Sequence, residues 1–165
     1  MKNFIIICCI TLLVGCSSSS SQNSNSYPSN SIQSNSIYVD LDNNEVDLSS
    51  FRGRKILINY WAAWCGPCIQ EMPSLLKAQE LLKDENYIFL LVSDESIQKI
   101  SRFKNRKNFN FIYLKSTVSL WSMGIYSLPT TYVFNEKGEK VKKMVGAKDW
   151  NSNRIIKKLK SLKHV

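Results

Sequence analysis

Histidine is nearly absent from this chain: there is one in 165 residues, the penultimate His164. Cysteine occurs five times, but Cys8, Cys9 and Cys16 lie within the first sixteen residues. Only Cys65 and Cys68 remain for the rest of the chain. A structural zinc site needs about four ligands, and two cysteines with one terminal histidine do not supply them. Two cysteines also cannot build the disulfide framework of a small stapled domain. A chain of this length can bury a core without one, and it fits a single domain. Long apolar runs are missing too. Phe4 to Val14 has eleven residues broken only by Thr11, well short of the roughly 20 that span a bilayer. Acidic residues thin out in the second half. Residues 99–165 hold sixteen Lys/Arg against three Asp/Glu, whereas residues 1–98 hold six against ten. No internal repeat is visible.

The apolar run has the size of a signal-peptide core, and Lys2 supplies the positive charge before it. It ends in Leu13-Val14-Gly15-Cys16, which resembles the bacterial lipobox. Residues 1–15 are therefore expected to be a lipoprotein signal peptide, with Cys16 lipidated at the mature N-terminus. An ordinary signal peptide with a chance cysteine, or a short buried helix, are the alternatives. Ser17 to Ser36 holds eleven Ser and four Asn in twenty residues. Such a stretch has almost nothing to bury and is expected to be a flexible tether over 16–36, with a reach of roughly 25 Å. The expected location is the cell envelope, lipid-anchored and facing the periplasm or extracytoplasmic side, where disulfides persist. An exported chain meets lipid headgroups rather than nucleic acid. Its basic half is then either a set of solvated helix faces or an attraction to anionic lipid that assists the anchor.

The folded domain is expected over 37–165. Ile37 to Leu41 alternates as a strand, Asp42-Asn43-Asn44 reads as a turn, and Glu45 to Leu48 reads as the return strand. Lys55 to Trp61 is a dense apolar run, as for a strand buried on both faces. A helix follows to about Lys83, with Pro73 expected to kink it. Tyr87 to Val92 reads as a second buried strand, Ile97 to Lys107 as an amphipathic helix, and Phe109 to Leu114 as a weaker strand. Thr117 to Met123 reads as a short helical turn. Thr130 to Phe134 and Glu139 to Val145 form a hairpin. A last helix starts near Asp149, with Ile155, Ile156, Leu159 and Leu162 on one face. This order implies an α/β fold with a mixed central sheet flanked by helices.

Between the first buried strand and its helix stands Trp64-Cys65-Gly66-Pro67-Cys68. Cys65 falls at the helix N-terminus, where free N–H groups and the helix dipole favour a thiolate. Pro67 suits a first-turn position that has no N–H partner to lose. Cys68 lies one turn in and is more enclosed. The bland alternative is a pair of inert buried cysteines. The redox reading is that Cys65 attacks a substrate disulfide and Cys68 resolves the mixed disulfide.

The stretch Ile56 to Pro73, reading ILINYWAAWCGPCIQEMP, resembles the TlpA/ResA/CcmG branch of thioredoxin-like proteins, and so does Gly124 to Phe134, reading GIYSLPTTYVF, with Lys137-Gly138 after it. The resemblance covers nearly all of 37–165. It implies a thioredoxin-like fold and thiol–disulfide oxidoreductase chemistry without a metal or other cofactor. It also implies that Pro129 is a cis-proline packed beside the cysteine pair, a placed feature where it occurs. A trans turn proline is the alternative. Glu71 matches a glutamate one helical turn beyond the second cysteine, where it could exchange a proton with Cys68; an exposed helix glutamate is the alternative. Asn59 stands where thioredoxin has a buried aspartate. Trp64 is expected to shield the pair and Trp61 to be core. Two positions depart from the family pattern, and a third weakens a peroxidase reading. Ile69 replaces a common basic residue, Ser127 replaces a common glycine, and Ala62 lacks the hydroxyl that peroxiredoxins need.

Gly66-Pro67 is also the dipeptide of thioredoxin, a reductant near roughly −270 mV, and no histidine marks a strongly oxidising pair. The expectation is a monomeric reductase of protein disulfides, fed by a membrane electron donor of DsbD/CcdA type. By the same analogy its substrates are apocytochrome c haem-site cysteines or wrongly paired disulfides. A disulfide-forming or isomerising protein is the competing enzyme reading. A thioredoxin-fold binding module without turnover is the competing reading from another class.

Overall fold

The computed structural model describes residues 36–162. The expected signal segment, Cys16 as the expected lipidation site and all of the expected tether but Ser36 lie outside the described residues. Ser36 itself is part of the fold, with its hydroxyl donating to the carbonyls of Tyr38 and Val46.

Nine regular elements follow in order: β1 (Tyr38–Val39), β2 (Lys55–Tyr60), α1 (Gly66–Leu81), β3 (Tyr87–Ser93), α2 (Ile97–Lys107), β4 (Ile112–Ser116), β5 (Thr130–Phe134), β6 (Lys140–Val145) and α3 (Asn153–Lys160). They make one six-stranded sheet in the order β1-β4-β3-β2-β5-β6. β2, β3 and β4 are parallel, and β1, β5 and β6 pair antiparallel to their neighbours. The two parallel crossovers step the same way across the sheet. Their common handedness therefore puts α1 and α2 on one face. α3 joins them there: Met72 and Leu75 of α1, Ile100 and Phe103 of α2, and Ile155 and Leu159 of α3 share one core with Leu57 and Trp61. The opposite face is smaller. Ile56, Ile58 and Tyr60 are covered there by Leu48, Leu120 and Ile125. β2 is thus buried along its whole length, which explains its unbroken apolar sequence.

The ends of α2 follow from sequence chemistry. Ser96 caps its N-terminus, and Asn108 ends it in the left-handed region at φ 52°, a conformation that asparagine tolerates better than most residues. Four expectations are corrected. Glu45 makes a single bridge to Val39 and no return strand forms. The Asp47 carboxylate instead takes the Ser49 N–H and starts a 3-10 turn over Leu48–Phe51, the usual way a short polar side chain diverts backbone from a ladder. β4 begins three residues late, at Ile112, because Phe111 N–H turns back to the Phe109 carbonyl. α3 begins at Asn153, since Ser152 closes a tight turn onto the Asp149 carbonyl through both its N–H and its hydroxyl. The helical turn expected over 117–123 shrinks to Trp121–Met123. Pro73 lies inside α1, which continues through it.

Leu57 is fully enclosed in the larger core. Leu57→Ala should lower the unfolding free energy by about 2–5 kcal/mol, read as an earlier midpoint in denaturant.

Candidate active site

The chain leaves the sheet after Tyr60. Trp61 N–H still donates to Val92 O, and Cys65 N–H then closes a turn onto Ala62 O. Cys65 is the N-cap of α1, with extended backbone, and its sulfur accepts from Cys68 N–H at 3.3 Å. Pro67 occupies the first turn, where its missing N–H costs nothing. Cys65 and Cys68 are joined as a disulfide, with Cα atoms 5.3 Å apart. Cys65 is 4% exposed and Cys68 fully buried, so Cys65 is the less enclosed of the two. Trp61 is core, as expected, whereas Trp64 stands 74% exposed at the mouth of the site instead of folding over the pair.

Glu71, one turn beyond Cys68, is buried and not a solvated helix glutamate. Its carboxylate accepts three N–H groups, each at 2.8 Å. Asn59 Nδ2 reaches Oε1, and Lys148 N and Trp150 Nε1 reach Oε2. Burial pushes its pKa above the usual glutamate value, and these donors pull it back. The Lys148 ammonium does not pair with it; it donates instead to the carbonyls of Val145 and Gly146. Asn59 also donates to Thr131 Oγ1 at 3.0 Å, while its own amide oxygen has no hydrogen-bond partner.

The Leu128-Pro129 peptide bond is cis. Pro129 immediately precedes Thr130, which pairs with Tyr60. The proline therefore sits beside the point where β2 gives way to the cysteine loop. Its carbonyl accepts from Gly146 N–H at 2.8 Å. Two acidic residues at the end of β3 brace the neighbouring loops: Ala63 N–H donates to Glu95 Oε2 at 2.6 Å and Leu120 N–H to Asp94 Oδ2 at 2.9 Å. Among the described residues, no group of three His, Cys, Asp or Glu converges as a metal site.

Sequence reading singled out Cys65, Cys68, Glu71 and Pro129, and the fold gathers their elements at the C-terminal end of β2. It missed Trp150, Lys148, Asp94 and Glu95. The first two reach Glu71 across 79 and 77 residues, and nothing in the local pattern signals such a contact.

A raised pKa for Glu71 means that the folded state holds the proton more tightly than the unfolded chain. The stability from this group is full below the ordinary glutamate value of ~4.3 and is lost as pH rises through the raised one. Glu71→Gln removes the titration. The stability of the natural protein relative to this variant should fall across that window and level off above it, in denaturant unfolding at a series of pH values.

Comparison with known proteins agrees with this geometry. A family model described as Redoxin matches residues 22–159. The thiol–disulfide oxidoreductase ResA of Bacillus thuringiensis (strain Al Hakam) is 26% identical over 115 residues, 68% of this chain and 66% of that protein. The thioredoxin-like protein YneN of Bacillus subtilis (strain 168) is 30% identical over 102 residues, 59% of this chain and 60% of its own length. The chain thus spans just under two thirds of these relatives. The crystal structure of the thioredoxin domain of a thiol–disulfide oxidoreductase from Bacteroides vulgatus superposes with a TM-score of 0.66 at 23% identity, over 81% of this chain and 99% of that one. It shares the thioredoxin-like α/β fold, and with the family model matched along most of its length, the chain belongs to the Redoxin family.

Proposed function

We propose that this chain is a thiol–disulfide oxidoreductase of the cell envelope that reduces disulfides in proteins through Cys65 and Cys68. The observation that carries the reading is the asymmetry of the pair. One sulfur caps the helix N-terminus on a residue that keeps a trace of solvent exposure, and the other is fully enclosed one turn later. In the reduced protein the Cys65 thiolate, favoured by the helix N-terminus, attacks one sulfur of a substrate disulfide. A mixed disulfide forms and the other substrate sulfur leaves as a thiolate. The Cys68 thiol then gives up its proton, and its sulfur attacks Cys65, which expels the second substrate thiolate. Two electrons pass to the substrate, and the protein is left with the Cys65–Cys68 disulfide.

Glu71 is the group placed to take the Cys68 proton. It is buried, its pKa is raised toward that task, and it lies one turn along the same helix. Its partners leave room for the change. A buried acceptor without a partner costs about 1–3 kcal/mol, and the free amide oxygen of Asn59 is such an acceptor next to the carboxyl that would gain the proton.

Restoring the dithiol requires an external dithiol donor. A membrane protein of DsbD/CcdA type fits a domain held at a bilayer by lipid on Cys16. Apocytochrome c haem-site cysteines and wrongly paired disulfides are the substrates that the family resemblance favours.

The test has two parts. Cys68→Ser should accumulate mixed disulfides with envelope proteins that dithiothreitol releases, and Cys65→Ser should form none. The reduction potential of the purified protein should fall near thioredoxin's, about −270 mV. A value near roughly −120 mV, as for DsbA, would make it a disulfide donor instead.

A further inference from the structure

Three aromatic side chains stand largely exposed among the described residues: Trp64 at 74%, Trp121 at 71% and Tyr126 at 68%. All three belong to loops at one end of the sheet, where β2, β3 and β4 finish and β5 begins. Trp64 adjoins Cys65, and Tyr126 lies three residues before Pro129. The braces at the end of β3 fix how these loops sit. Ala63, just before Trp64, hangs from the Glu95 carboxylate, and Leu120, just before Trp121, hangs from the adjacent Asp94 carboxylate.

The segment 120–126 divides its side chains. Leu120, Met123 and Ile125 turn inward to the smaller core, and Gly124 at φ 74° gives the reversal that permits this. Trp121 and Tyr126 turn outward and meet edge to face, with ring centroids 4.5 Å apart. Such a pair is preorganised, yet its burial does little for the fold, since both rings remain in solvent. Exposed aromatic clusters mark binding surfaces, and Trp and Tyr dominate the energetics of such surfaces. Asp94 and Glu95 are the acidic groups of the neighbouring loop, and each is engaged by a backbone N–H.

We propose that Trp121 and Tyr126, with Trp64, form a platform for an aromatic or large aliphatic side chain flanking the substrate's reactive cysteine. The occupant follows from continuity with the dithiol. Cys68 is enclosed, so a protein joined to the Cys65 sulfur must approach over the loops that carry these rings. The platform gives the site a preference for disulfides set in apolar sequence. This inference rests on the oxidoreductase reading above.

The test uses the full chain, reduced with dithiothreitol and freed of it, in single turnover. Two synthetic peptides carry the same intramolecular disulfide and differ only in the residues beside one cysteine, Phe in one and Ser in the other. The natural protein should reduce the Phe peptide about 5- to 10-fold faster at limiting concentration. In the W121A/Y126A variant this ratio should fall close to one, and in W121F/Y126F most of it should return. A ratio that survives in W121A/Y126A, even with both rates lowered in proportion, overturns the platform and leaves the rings a structural role. Equal rates for the two peptides with the natural protein overturn it as well. Reduction of neither peptide by the natural protein overturns the oxidoreductase reading itself, and the platform with it.

Discussion

The side chain of Glu71 joins parts of the chain that no backbone ladder connects. Through it α1 is tied to β2 by Asn59, to the segment before α3 by Lys148 N–H, and to the core of the helical layer by the indole of Trp150. Asn59 extends the tie to β5 through Thr131. A carboxylate placed this deep is costly unless N–H donors surround it, and here three do. The arrangement fixes the helix that carries Cys68 against the central strand and against the turn that launches α3. The same group that orders the site is therefore the one whose ionisation the site can use.

That network also marks the limit of what the sequence discloses. β2, β3 and α2 were legible because their signals are local. β2 and β3 are continuous apolar runs. α2 lies between a serine cap and an asparagine that accepts positive φ, with Ile100 and Phe103 at helical spacing. The cysteine pair and Pro129 were legible because the family resemblance is concentrated in two short motifs. Trp150 was not, since its reason for being buried is a carboxylate 79 residues away. The same holds for Asp94 and Glu95, whose partners are backbone N–H groups in other loops. The strand expected over 45–48 does not form, for the opposite reason: one side chain, that of Asp47, decides the local backbone against its alternation.

The basic second half acquires a geometry in the fold. α1, α2 and α3 all descend from the redox end. Trp150, ahead of α3, reaches Glu71 near the cysteines, while the Leu159 carbonyl near the end of α3 accepts from Tyr87 at the far start of β3. The last turns of α2 and α3 carry Lys104, Arg106 and Lys107, and Lys157, Lys158 and Lys160. These cations complement the negative ends of the helix dipoles, while the positive end of α1 lies at Cys65. Six of the sixteen Lys/Arg of residues 99–165 stand where these two helices stop.

The four tryptophans of the chain divide in the same way. Trp61 and Trp150 are fully buried in the core that holds the cysteines, and Trp64 and Trp121 are exposed on the rim. A disulfide quenches nearby indole emission more strongly than a dithiol does, and exposed indoles emit at longer wavelength than enclosed ones. The buried pair therefore gives a blue-shifted signal that follows the oxidation state of the sulfurs, Trp64 beside Cys65 shares that dependence at longer wavelength, and Trp121 gives a red-shifted signal that responds when something covers the rim.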